Sequence, residues 1–278
     1  MPDKILVFIP CYNCAPQIGR VLRQFAGGIA HRFSEILVLD NGSRDGTIEA
    51  AIADVACAGG LTVTVARNRE NYNLGGSHKA AFAYAAANGF THVLILHGDD
   101  QGSVADIAPI LAAGAHREND ACLGARFAKG ARLQGYSAFR IFGNHVFNLL
   151  FTLGTRRRVL DLGSGLNIVA ASVFTDQAVR LYADDLRFNI FLLLGLFDGR
   201  RRVVFFPISW REDDQISNVR MMSQARRTLD ILLSYVFQRA HFRGADHRDR
   251  SHAEYVFDVV FRSDAPPDHA AQPVAAAG

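Results

Sequence analysis

Four short apolar runs, each closed or followed by a polar cluster, constrain this chain more than any other feature. Lys4–Ile9 (KILVFI) ends at Pro10-Cys11-Tyr12-Asn13, and Ile36–Leu39 at Asp40-Asn41-Gly42-Ser43. Leu61–Ala66 (LTVTVA) leads to a polar segment from Asn71 to Lys79, and His92–Leu96 (HVLIL) ends at His97-Gly98-Asp99-Asp100. Continuous apolar runs of this length read as strands covered on both faces. Between them the spacing predicts helices over 17–25, 47–58 and 77–88, the last stopped by Gly89. Strand alternating with helix at this rhythm predicts an α/β fold, a mostly parallel sheet with helices on both faces. Ligands of such sheets collect beyond the carboxyl ends of the strands, where the polar clusters fall.

After about residue 120 the rhythm loosens. Strands are expected over 120–125, 167–170 and 202–206, and helices over 135–153 and 223–237. The chain therefore divides into a domain over 1–245 and a polar, disordered tail over 246–278. Within the domain, about 1–115 forms the nucleotide-binding half and about 116–245 the acceptor half.

A length of 278 residues with 49% hydrophobic content suits one large α/β domain with an appendage. The formal charge of +3 gives no reason to expect a nucleic-acid partner. No signal peptide is read at the start, and no apolar stretch approaches the ~20 residues of a bilayer span. The expectation is a cytoplasmic protein. Arginine clusters at 156–158, 200–202 and 226–227 adjoin apolar sequence. They read either as solvated helix ends or as contacts to an anionic lipid surface at the inner face of the membrane.

The chemistry is concentrated at the strand ends. Cys11-Tyr12-Asn13-Cys14 has the spacing of a redox or zinc motif, but no second ligand pair stands at suitable spacing for zinc. Pro10 and Pro16 bracket it as a loop in which Tyr12 can stack on a base, and the thiols are read as ordinary loop residues. In Asp40–Thr47 (DNGSRDGT) a strand-end carboxylate and glycine turns suit base or ribose contacts, and also suit a helix cap. Gly75-Gly76 ahead of a helix with Lys79 in its first turn suits a diphosphate, although glycine pairs precede many helices. Asp99, Asp100 and Gln101 supply the hard oxygen ligands with which Mg2+ or Mn2+ clamps phosphates.

Taken in order, IPCYN, LDNGSRDGT, NYNLGGSHKAA and HGDDQG resemble family 2 glycosyltransferases of the GT-A fold, a Rossmann-like architecture. The branch most similar is that of the dolichol- and polyprenyl-phosphate sugar synthases. Gly124-Ala125-Arg126, Arg140 in the long helix, Asp161–Asn167, Pro207-Ile208 and Ser217-Asn218 stand where that branch has its later motifs. The departures are His97 for the first metal-loop Asp, Cys14 for Glu, Asn41 for Asp, Asn167 for Arg and Asn218 for Lys. No carboxy-terminal membrane spans are expected from this sequence.

The resemblance implies an inverting transfer of a sugar from a UDP-, GDP- or dTDP-linked donor to a polyprenyl phosphate. It places the nucleotide sugar on Pro10, Tyr12, Asn13, Asp40, Asn41, Ser43, Asn73, Gly75, Lys79 and Asp99. The metal, Mg2+ or Mn2+, falls on Asp99 and Gln101 with His97 beside them. Arg126 and Arg140 become the holders of the acceptor phosphate. A hydroxyl acceptor on a growing cell-surface glycan would instead need a base, and Asp161, Asp184 and Asp185 are available. For Asp184-Asp185 the alternative is a cap for the following helix. Two other readings are a nucleotide-sugar-binding module without turnover and a dinucleotide oxidoreductase, the latter lacking G-x-G-x-x-G after the first strand.

Overall fold

The computed structural model describes residues 2–212, 221–249, 254–264 and 273–274. In chain order the first half holds β1 (Ile5–Cys11), α1 (Ala15–Arg23), β2 (Glu35–Asp40), α2 (Thr47–Ala53), β3 (Thr62–Asn68), α3 (Asn73–Ala87) and β4 (His92–Leu96). Next come α4 (Ala108–Ala112), α5 (Ala115–Glu118), β5 (Ala121–Ala125), β6 (Arg132–Gln134), α6 (Ala138–Thr155), β7 (Leu166–Ala170), α7 (Ala171–Phe174) and α8 (Gln177–Arg180). The last stretch holds α9 (Phe188–Asp198), β8 (Val203–Pro207), β9 (Ser209–Arg211), α10 (Met221–Phe237), α11 (Arg239–Gly244), β10 (Phe257–Arg262) and β11 (Pro273–Val274).

The main sheet has the order β11-β10-β3-β2-β1-β4-β7-β5-β8. β3, β2, β1 and β4 run parallel, as do β5 and β8, while β7 and β10 run against their neighbours. This is the α/β GT-A architecture. Alternation along β1 explains its unbroken apolar run. Leu6 and Phe8 face a core shared with α3 and α9, whereas Ile5, Val7 and Ile9 face a core built with α1 and α2. Gly89 stops α3 in a left-handed conformation at φ 68°, as its position in the sequence predicts.

The carboxy-terminal boundary needs correction. Residues 246–278 are expected as a tail, yet Phe257–Arg262 forms β10, antiparallel to β3 at the sheet edge. Phe257 is 2% exposed and packs on Tyr84. The residues around Ser217-Asn218 lie outside the described residues, as does most of the stretch beyond 264. Among the described residues no helix is long and apolar enough to cross a membrane.

Candidate active site

The chain leaves β1 toward β2 on one side and later crosses back to place β4 on the other. Where such a sheet changes direction, the two strand ends splay and leave a crevice. Here the crevice is a cleft of about 980 Å3 above the ends of β1, β2 and β4. Its far walls are the start of α3, residues 185–187 ahead of α9, Arg211, and the first turns of α10.

The loop after β1 is held by the loop after β2. The Asn13 amide donates to Ser43 Oγ at 2.8 Å, and the Arg44 amide to Asn13 Oδ1 at 3.2 Å. The Cys14 amide donates to Thr47 Oγ1 and the Ala15 amide to Asp45 Oδ2. These bonds hold Asn13 left-handed at φ 54° and leave Tyr12 55% exposed at the cleft, free to stack on a planar ligand. All four cysteines are free, and among the described residues no group of three or more His, Cys, Asp or Glu side chains forms a metal cluster. A hydrogen bond from Cys11 to Cys14, together with burial, raises the Cys11 thiol well above its ordinary value, while the same contact lowers Cys14.

At the end of β4 two neighbouring carboxylates have opposite surroundings. Asp100, left-handed at φ 57°, accepts from Arg20 Nε and Arg211 Nη2 at 2.7 Å each and from Gln24 Nε2 at 3.0 Å. It anchors the loop. Asp99 accepts from the Gln101 amide at 3.2 Å and has no cationic partner among the described residues. Burial pushes its pKa up. A carboxylate stripped of water without a compensating charge is a ready seat for a cation. His97 lines the same cleft with its Nε2 buried and unpartnered, and burial, then the Arg126 charge, lowers its pKa to about 4. A neutral imidazole, a carboxylate and the Gln101 amide fit a Mg2+ or Mn2+ ion that also takes oxygens from a bound phosphate.

The other expected residues divide sharply. Pro10, Tyr12, Asn13, Asn41, Asn73, His97, Asp99 and Gln101 all line the cleft. Asp40 does not. It is fully buried, accepting from the Ser43 amide and from Arg67 Nε, so it braces the loop on which Asn41 sits. Ser43 likewise spends its hydroxyl on Asn13.

Gly75 and Lys79 are corrections. The amides of Gly75 and Gly76 donate to the Asp184 carbonyl at 2.5 and 3.1 Å, so the start of α3 is already capped. A Cβ at Gly75 would stand 2.3 Å from the Ala183 carbonyl oxygen, which is why glycine is required there. Lys79 Nζ is buried against Asp184 Oδ1 at 2.7 Å, the Tyr182 carbonyl and Tyr255 Oη. It ties α3 to the carboxy-terminal segment instead of reaching a diphosphate.

Arg126 and Asp161, expected as phosphate holder and candidate base, occupy each other in a bidentate pair outside the cleft lining. Arg140 is likewise paired with Glu212 through both Nη atoms and stacks on Tyr136. Of the three candidate bases, Asp185 alone lines the cleft, while Asp184 is buried with Lys79. The cations that do line it are Arg20, Arg187, Arg211 and Arg227. Sequence reasoning passed over Arg20, Arg187 and Arg211, because each stands outside the strand-end clusters, and read Arg227 only as part of a basic cluster. Arg187 bonds Asp185 and Asp249, whereas Arg227 has no ion pair among the described residues.

The profile of glycosyl transferase family 2 matches residues 6–179, the stretch that builds β1 to β7 and most of the cleft. The chain belongs to glycosyl transferase family 2. No sequence among the curated proteins matches it. Among solved structures, glucosyl-3-phosphoglycerate synthase from Mycobacterium tuberculosis in complex with UDP superposes with a TM-score of 0.61 at 18% identity, covering 91% of this chain and 84% of that one. The same synthase with Mn2+, UDP and glucosyl-3-phosphoglycerate gives a TM-score of 0.60 at 18% identity, covering 95% and 88%. A mycobacterial protein gives 0.57 at 17% identity, covering 98% and 83%. At these identities the likeness is one of fold. This family 2 member is thus a glycosyltransferase on a GT-A scaffold.

Proposed function

We propose that this glycosyltransferase moves a sugar, with inversion, from a nucleotide-sugar donor to a polyprenyl phosphate. The donor's base would stack on Tyr12 beside Asn13 and Asn41, with its diphosphate near Asp99. Asp99, Gln101 and His97 would hold Mg2+ or Mn2+, which when bound supplies positive charge for the departing diphosphate. The glucosyl-3-phosphoglycerate synthase structures, which hold Mn2+, UDP-glucose and the phosphate-bearing phosphoglyceric acid, support the donor and metal parts of this reading.

One observation carries the acceptor. Arg227 is a cation without an ion pair among the described residues, set in the cleft wall on α10. A phosphate held at Arg227 would gain a charge-assisted contact that an uncharged acceptor would not. A phosphate oxygen is already anionic. It attacks the anomeric carbon as the bond to the diphosphate oxygen breaks, and no general base is required.

A second reading rests on Asp185. As the candidate base that lines the cleft, it could take the proton of a glycan hydroxyl that attacks the same carbon. Radiolabelled transfer from UDP-, GDP- and dTDP-sugars to polyprenyl phosphate and to free-hydroxyl glycans separates the two. Product extracted with the lipid supports the first reading, and label only on glycans, abolished by Asp185→Asn, supports the second.

A further inference from the structure

Amphipathic helices in a folded domain turn their apolar stripe inward. α6 does the reverse. Across its 18 residues Asn148 and Phe151 are buried, while Phe139, Phe142, Val146, Leu149, Leu150 and Leu153 are exposed at helical spacing. Phe139 and Phe142 are 74% and 67% exposed. α10 carries a second outward stripe of Leu229, Leu233, Val236 and Phe237, the last 78% exposed. The two helices touch, since a Cβ at Gly154 would stand 2.8 Å from Leu232 and 3.1 Å from Val236, so the stripes adjoin. An outward apolar surface of this extent is a contact surface.

The charges around it choose the occupant. α6 contains no acidic residue, and Arg156, Arg157 and Arg158 follow it directly. α10 contributes Arg226 and Arg227 against one carboxylate, Asp230. Arg156, Arg158 and Arg226 are exposed and have no ion pair among the described residues. A second copy of the chain would bring like-charged arginines together, whereas an anionic lipid surface neutralises them while taking up the aromatic and leucine side chains.

We infer that the α6–α10 face docks on an anionic bilayer surface. It lies in the interface without spanning it. α6 is about 27 Å long at about 1.5 Å per residue, enough to lie along the headgroup layer. α10 carries the cleft-lining Gln224, Arg227 and Thr228 on one face and the docked stripe on the other, so one helix joins the docked face to the cleft wall. This goes beyond the acceptor reading, since a surface-bound enzyme can serve a lipid phosphate or a membrane-attached glycan.

Vesicle flotation of the full chain tests it, with no nucleotide sugar and no polyprenyl phosphate present, so the acceptor reading is not being measured. The protein is expected to float with phosphatidylcholine–phosphatidylglycerol vesicles and to stay behind with phosphatidylcholine alone. Phe139→Ser/Phe142→Ser should weaken binding by about tenfold or more, and Leu233→Gln/Phe237→Gln, checked with it by thermal melting, should do the same. Arg156→Gln/Arg158→Gln should make binding fail at lower salt. Absence of flotation with the anionic vesicles would overturn the inference. So would equal flotation of both apolar double variants, or a dimer in light scattering that those substitutions dissolve.

Discussion

Arg126 grips Asp161 through both carboxylate oxygens, Nε to Oδ2 and Nη2 to Oδ1, each at 2.8 Å. Asp161 also takes the Arg126 and Gly163 amides, and Arg126 donates further from Nη1 to Tyr136 Oη and from Nη2 to the Gly163 carbonyl. Asp161 is saturated and Arg126 has spent all but one of its N–H groups, so the pair is read as structural. Arg126→Ala is expected to cost about 3–5 kcal/mol by leaving a buried carboxylate unpaired, and Arg126→Met/Asp161→Leu to recover much of it. Urea unfolding of both variants checks this. An Arg126→Ala protein of full stability that has lost only turnover would show the arginine to be a phosphate holder after all.

Asp99 should behave in the opposite way. Burial without a cation raises its pKa, so its charge works against the fold until a ligand arrives. Asp99→Asn keeps an acceptor for the Gln101 amide and should melt at or above the wild-type temperature. It should lose the Mn2+-dependent gain in UDP affinity, and turnover should fall by about 10²–10³-fold, the usual cost of one charge-stabilising group. Calorimetry with and without EDTA, beside a thermal melt, reads both effects.

How much of this was legible in the sequence depends on the range of the interaction. β1 to β4 announce themselves because each is buried on two faces, and Asp99 because it closes one of them. Lys79 lies on a helix as expected, although in the second turn of α3 and not the first, but its partner Asp184 is 105 residues away, and no spacing rule connects them. The exposure of Phe139 and Phe142 was equally hidden, since an apolar stripe has the same periodicity whichever way it faces. β10 was lost for a compositional reason. Its six residues, FDVVFR, sit between polar stretches, and an average over the region conceals them.

The cysteines give a simple expectation. Cys14 precedes α1, where the Thr47 hydroxyl satisfies its backbone amide. Serine there keeps that bond and nearly the same volume. Cys14→Ser should leave UDP affinity within about threefold of wild type, since the change removes no buried partner. Stoichiometric zinc in the wild type, absent from the variant, would restore a metal role to the C-x-x-C.

Acid should weaken the fold through His78. The ring lies among Phe8, Phe82 and Phe188, and burial lowers its pKa from 6.5 to about 3. Below pH 6.5 the unfolded chain takes up a proton that the folded protein refuses until about pH 3. Its stabilising effect is therefore full above 6.5 and is lost as the pH falls toward 3. At about 1.4 kcal/mol per unit, the fall from pH 6.5 to 5 costs about 2 kcal/mol. His78→Phe should show a smaller drop in urea midpoint between about pH 7.5 and about pH 5 than wild type. Equal drops would mean that other groups carry the acid sensitivity.

Initial rates of radiolabelled sugar transfer, titrated with polyprenyl phosphate and paired with donor affinity, bear most directly on the acceptor. Arg227→Ala should raise KM for the lipid phosphate by about tenfold or more while donor affinity holds, the loss expected when a charge-assisted phosphate contact is removed. Arg140→Ala, whose guanidinium is paired with Glu212 away from the cleft, should transfer at close to the wild-type rate. An unchanged KM in Arg227→Ala would contradict the lipid-phosphate site, as would transfer that goes only to glycan hydroxyls and stops with Asp185→Asn.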